Sequence, residues 1–252
     1  IQASCPEHDY AGIQCWPVGD CIARYFVHDI IRGVDYLCTR PEVDPGRIGI
    51  TGNSGGGTQT SLAMLCEPRI AAAAPATFIM DRESFMLCGM AQDTEQVWPG
   101  TTDWGFDHED ILISMVPKPV LVLAAKWDYF PIEGTRRTVG RARRFWEMYG
   151  KAENIELYED DTPHKYTVNM ARKAAGFFSK CFLGKEILHD SGKIKLLDIP
   201  KLWCTEHGQV RADREDARFV FEENLDRLKI LQEERKAIPA DVRKEQALNW
   251  LR

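Results

Sequence analysis

Arg47-Ile48-Gly49-Ile50-Thr51-Gly52-Asn53-Ser54-Gly55-Gly56-Gly57 is the stretch that decides the fold. Its first half alternates apolar and small residues, as a strand does. Its second half, Gly52-Asn53-Ser54-Gly55-Gly56, fits G-x-S-x-G, and Thr58 to Cys66 continues as a helix. Strand, sharp turn, serine and helix in that order make a nucleophile elbow. The glycines have a steric reason. The serine sits on a strained turn, and side chains two residues to either side would collide with it or with the packed helix. The competing reading is an ordinary glycine-rich strand-to-helix loop that binds phosphate at the helix N-terminus.

Working outward, apolar residues at Ile22, Phe26, Ile30, Val34 and Leu37 recur at helical spacing and predict a helix from Asp20 to Cys38. Residues 1 to 17, with Pro6, Gly12 and Pro17, read as irregular. Beyond the elbow helix, Ile70 to Pro75 predicts a short buried parallel strand of small residues. Residues 76 to 107 read as irregular and aromatic-rich, followed by a helix from 107 or 108 to Met115. Pro119 to Ala125 is apolar on both faces and predicts a central strand. A helix at 132 to 149, a more polar strand at 155 to 158 nearer the sheet edge, and a helix at 167 to 182 complete the pattern. Strand and helix alternate from 47 to 184, which predicts a three-layer αβα arrangement with a mainly parallel sheet. The expected division is an α/β core over 1–185 and an extension over 186–252. The extension is predicted to carry a small hairpin at 202 to 210 and charged helices at 214 to 236 and 240 to 251.

The 252 residues suffice for one large domain with a small appendage, and 44% hydrophobic with 28% charged is an ordinary globular composition. A net charge of -6 leaves no basic footprint for nucleic acid. No apolar run approaches bilayer-spanning length, and the chain opens without a signal-peptide pattern. The eight cysteines show no CxxC or zinc-like grouping. Cys38, Cys66 and Cys181 read as buried thiols, Cys5, Cys15 and Cys21 as near enough in sequence to pair, and the compartment stays open.

A serine nucleophile needs a base to take its proton and a carboxylate to hold that base in its productive tautomer. In α/β sheets with this elbow the chain order is serine, acid, histidine, each past the carboxyl end of a strand. Ser54 follows the first strand, Asp128 the strand at 119 to 125, and His164 the strand at 155 to 158. Asp160 and Asp161 compete as the acid but sit on the histidine's own strand, and Asp128 also suits a helix N-cap. His8, His28, His108, His189 and His207 compete as the base, His108 reading rather as a helix-capping or loop-bracing residue. The backbone N–H of Gly55 supplies one oxyanion donor. A second donor normally comes from a loop after an earlier strand, and the 46 residues ahead of the elbow strand leave no room for one beyond their helix.

Several separated motifs occur in order. They are Asp35-Tyr36-Leu37, Arg47-Ile48-Gly49 and Gly52 to Gly57, then Glu95-Gln96 with Pro99-Gly100, and Asp107-His108 leading to Pro117-Lys118-Pro119. Asp128 with Phe130-Pro131-Ile132-Glu133-Gly134, and finally Pro163-His164, complete the set. Together, over roughly residues 20 to 184, the chain resembles the acetyl xylan esterase-like branch of the α/β-hydrolases. Dienelactone-hydrolase and prolyl-oligopeptidase-type enzymes are similar at greater distance. The resemblance implies a serine carboxylesterase that needs no metal or cofactor and acts on acyl esters such as acetylated carbohydrate, with Ser54 as nucleophile, Asp128 as acid and His164 as base. It also implies N-terminal strands that this chain lacks, so an unpaired sheet edge is expected to meet a preceding segment or a second copy. The alternatives are a non-catalytic hydrolase-like module, or a peptidase or thioesterase using the same three residues.

Overall fold

The computed structural model describes residues 5–187, 195 and 197–250. In chain order the elements are α1 (Cys5–Cys15), α2 (Ala23–Cys38), β1 (Ile48–Asn53), α3 (Gly55–Cys66), β2 (Ile70–Ala76), α4 (Arg82–Leu87) and α5 (His108–Ile113). Then come β3 (Val120–Trp127), α6 (Ile132–Met148), β4 (Ile155–Pro163), α7 (Val168–Leu183), α8 (Val210–Asp213), α9 (Val220–Lys236) and α10 (Ala240–Trp250). They form two compact units, Ala23–Lys195 and Ile1–Ile22 with Leu196–Arg252.

The larger unit is built on a four-stranded sheet of order β1-β2-β3-β4, parallel throughout. Successive right-handed crossovers in a sequential sheet place their helices on one face, and the packing follows this. Ala73, Val120, Val122 and Ile155 point toward Ala63 and Met64 of α3, Ile111 and Leu112 of α5, and Val139, Ala142 and Trp146 of α6, with Val34 of α2 in the same cluster. The alternate positions Ala72, Ala74, Leu121, Leu123 and Ala125 face Met170, Ala174 and Phe177 of α7. Period-2 alternation in β2 and β3 thus feeds two cores, which is why both strands read as apolar without interruption. The small side chains of β2 fit the middle of the sheet, where α3 on one side and α7 on the other leave little depth.

The sequence and the structure diverge in four places. Residues 5–15, expected to be irregular, form α1, and they group with the tail rather than with the sheet. The tie is local: the Asn224 amide of α9 reaches Cys15 Sγ at 3.5 Å, both residues buried. Residues 202–210 form no hairpin; a 3-10 turn at Ile199–Leu202 and the short α8 stand there instead, because Gly208 in left-handed conformation and the His207–Asp213 contact bend the chain into α8. The segment 76–107 contains α4, capped by the Asp81 carboxylate accepting from Ser84 N, and a 3-10 turn at Thr94–Gln96. Finally, β4 runs on to Pro163, through residues expected to be a loop, and carries an irregularity described below. Cys66 is exposed rather than buried, and neither Cys15 nor Cys21 is in a disulfide. Among the described residues no helix is long and apolar enough to cross a membrane.

Candidate active site

Each strand of the sheet hands its next residue to the same edge. Ser54 is the first residue past β1, Thr77 past β2, Asp128 past β3 and His164 past β4. Because all four strands are parallel, these residues collect beyond their carboxyl ends.

Ser54 caps α3 with φ 57° and ψ -118°, and among the described residues it and Thr77 are the two non-glycine residues with positive φ. A side chain held there costs on the order of 1–3 kcal/mol. The surroundings over-determine it. Ser54 N donates both to Ala76 O at 3.1 Å and to Thr77 Oγ1 at 3.0 Å, and the Thr77 hydroxyl donates to Asn53 Oδ1 at 2.8 Å. A Cβ on Gly52 would stand 2.5 Å from Gly56 O and 2.6 Å from Gly56 C, so this glycine is required by the return of the chain into α3. A Cβ on Gly57 would run into Ala76 O and Phe78 Cβ. At Gly56 it would meet nothing within 4 Å. The second glycine of the G-x-S-x-G pattern is therefore not the crowded one; Gly57 is.

Gly55 opens α3, so its N–H has no partner within the helix and points, with those of Gly56 and Gly57, out of the positive end of the helix dipole. The carboxyl of Glu95, 1% exposed, lies beside this turn, with Oε1 3.9 Å from where a Gly55 Cβ would be.

Asp128 and His164 form the other half. Nδ1 of His164 is 2.9 Å from both Oδ1 and Oδ2 of Asp128, whose side chain is 1% exposed while that of the histidine is 21% exposed. Oδ1 also accepts from Phe130 N at 3.1 Å, which fixes the carboxylate. An ionised carboxylate only accepts, so Nδ1 carries the proton, and in the neutral imidazole Nε2 presents its lone pair. That lone pair meets the Tyr129 hydroxyl at 3.0 Å, and the Tyr129 ring tilts over the imidazole at 4.4 Å between centroids. Among the described residues no hydrogen bond joins Ser54 Oγ to His164. The structure therefore unites Asp128 and His164 and places Ser54 on the same edge without engaging it.

The competitors fall elsewhere. Asp160 takes the Thr167 hydroxyl and Asp161 N, while Asp161 Oδ1 accepts Trp127 Nε1 at 2.7 Å, so neither meets His164. His28 pairs with its neighbour Asp29, and His207 with Asp213; His189 lies outside the described residues. His8 belongs to α1. Glu206, His207 and Asp213 bring three metal-ligating atoms within 4.8 Å of one another, in the other compact unit.

His108 proves to be a core residue at the start of α5, while its neighbour Asp107 does the capping, paired with Asp110 in a capping box. Its Nδ1 accepts from Met80 N at 3.4 Å and its ring leans on Phe78. Burial, seconded by the nearby Arg82 cation, pushes the imidazole down to about 3. The unfolded chain binds a proton there near pH 6.5 and the folded one does not, so this stabilising difference is complete above pH 6.5 and is lost as pH falls. At pH 5 the loss is about 2 kcal/mol. Urea unfolding at pH 7.5 and pH 5 should show the wild type losing that much more than His108→Gln; equal losses would mean the imidazole accepts its proton while folded.

A doubly covered parallel sheet with a serine on a glycine-lined turn after one strand, an aspartate after the third and a histidine after the fourth has the α/β-hydrolase fold. Residues 23–129 match the model of the prolyl oligopeptidase family, a span that takes in Ser54 and Asp128. Among solved structures the chain is similar to a carbohydrate esterase family 15 glucuronoyl esterase from Caldicellulosiruptor kristjansonii, at 19% identity and TM-score 0.58, covering 72% of this chain and 55% of that one. A methylesterase matches at 19% identity and TM-score 0.60 over 81% of this chain and 47% of its own. The glucuronoyl esterase catalytic domain from Hypocrea jecorina matches at 18% and 0.53, over 71% and 56%. The chain spans about half the length of the solved structures it matches. No curated protein sequence matches it significantly.

Thr77 and Tyr129 are the site residues that sequence reasoning passed over. Thr77 obeys the same rule as the other three, and ending the β2 strand at Pro75 instead of Ala76 hid it. Tyr129 stands next to Asp128 and carries no motif of its own.

Proposed function

We propose that the chain is a serine hydrolase of carboxylic esters, and that its substrates are esters carried on carbohydrate. The observation that supports this best is the Asp128–His164 pair, held at 2.9 Å beyond β3 and β4 on the edge that also presents Ser54. In this reading His164 Nε2 takes the proton of Ser54 Oγ as the oxygen attacks the ester carbonyl. Asp128 stabilises the imidazolium, and the N–H of Gly55 receives the oxyanion. The imidazolium then protonates the departing alcohol, and water, deprotonated by the same nitrogen, releases the acid. Nothing in this scheme calls for a metal or cofactor.

Two kinds of ester fit the carbohydrate reading. The motifs resemble those of acetyl xylan esterases, in which the sugar supplies the alcohol. The structural neighbours are named glucuronoyl esterase and methylesterase, names that point to glucuronoyl and methyl esters. The acetyl ester is the reading the motifs favour, and p-nitrophenyl acetate against the methyl ester of glucuronic acid separates the two. The mechanism itself is tested more directly. A fluorophosphonate probe should label the chain once, at Ser54, and Ser54→Ala should take no label. A wild-type chain that stays unlabelled would point instead to a non-catalytic module. Turnover of amide or thioester substrates above oxoester would move the assignment to a peptidase or thioesterase.

A further inference from the structure

The Nε2 lone pair of His164 is single, and in this structure it is occupied. With Nδ1–H committed to Asp128, the neutral imidazole has one acceptor site left, and the Tyr129 hydroxyl, 3.0 Å away, donates into it. The Ser54 hydroxyl needs that same site to begin the reaction. We propose that Tyr129 is a positioning residue that caps the base: its hydroxyl holds His164 Nε2 in a resting state, and Ser54 engages only when Tyr129 gives way. The proposal rests on the reading of Ser54 and His164 as nucleophile and base.

The surroundings of Tyr129 suit a side chain that moves on a backbone that does not. Its carbonyl is met by Cys88 Sγ at 3.5 Å. The next residue, Phe130, is buried, with its N–H on Asp128 Oδ1 and its ring stacked on Phe85 at 5.2 Å. Tyr129 itself is 41% exposed. It borders an open cavity of about 380 Å³ shared with Met90, Lys126 and Ile132, which leaves space beside it on the solvent side. A rotation of this side chain into the cavity frees Nε2 and leaves the Asp128–His164 contact as it is.

The test follows from the competition. In the reaction with a fluorophosphonate, Ser54 Oγ bonds to phosphorus, fluoride leaves, and the proton passes to His164 Nε2. Tyr129→Phe keeps the ring against His164 and deletes the competing donor. A neutral hydrogen bond of this kind is worth roughly 2- to 10-fold in a competing equilibrium, so Tyr129→Phe should be phosphonylated at Ser54 about 2- to 10-fold faster than wild type. Tyr129→Leu should show an increase of the same sign. A side chain that only braces the histidine would produce the opposite result, a slower reaction in both variants. An equal or slower rate in Tyr129→Phe, with wild type labelled normally, overturns the cap while leaving the nucleophile assignment intact. No labelling of Ser54 in wild type or variant overturns both, and is recognised from the wild type alone.

Discussion

Replacing Ser54 by alanine is expected to lower kcat/KM for p-nitrophenyl acetate by about 10⁵-fold or more while leaving the fold in place. The fold survives because the Oγ takes no part in holding the elbow. The contacts there are made by the backbone, from Ser54 N to Ala76 O and Thr77 Oγ1. On the proposed mechanism the activity does not survive, because Gly55 N–H and the helix end could stabilise an oxyanion only after something has attacked. Residues that act as one unit lose their effects together, so Ser54→Ala combined with His164→Ala should be no slower than Ser54→Ala alone. Additive losses would show that His164 serves some step other than activating Ser54. A companion measurement reads the strain. With φ 57° and ψ -118° at this position, Ser54→Gly should raise the unfolding free energy by about 1–2 kcal/mol even as it removes activity.

The largest effect on stability is expected at a position two residues away. Gly52→Ala would press a methyl group onto backbone, 2.5 Å from Gly56 O and 2.8 Å from Gly56 Cα, and that backbone is the first turn of a helix packed between β1, β2, α2 and α5. No rotamer relieves a clash with main chain, so a loss of about 3 kcal/mol or more is expected, with poor folding at 37 °C. Gly56→Ala is the control. It opens into free space inside a helix and should be neutral or stabilising by up to about 1 kcal/mol. Equilibrium denaturation of the two variants checks the pair, and a Gly56→Ala loss as large as that of Gly52→Ala would refute the packing account.

Much of this arrangement was legible from the residues because each piece depends on a local signal. The elbow announces itself through glycines around a serine between two periodicities. The β3 strand announces itself through six consecutive apolar residues, and the order of Ser54, Asp128 and His164 follows from where strands end. What escaped has a physical reason in each case. The α1 helix is short and has almost no apolar face, since its partner is α9, some two hundred residues away, and no local pattern anticipates that pairing. The second half of β4 reads as Glu159-Asp160-Asp161-Thr162, polar enough for a loop, because it lies at the edge of the sheet and its pairing with β3 overrides its composition. The Tyr129 cap depends on a side-chain contact 35 residues apart in the chain, which no spacing rule contains.

The register of β4 carries one more consequence. Ala125 pairs with Asp160 and Trp127 with Pro163, so β3 advances two residues while β4 advances three. The surplus residue is taken up within the edge strand, where Asp161 turns to meet the Trp127 indole. The ladder is back in step one pair before Asp128 and His164. In the vocabulary of spacing, β4 uses one residue more than β3 to reach the same level, and Asp128 and His164 still come out side by side.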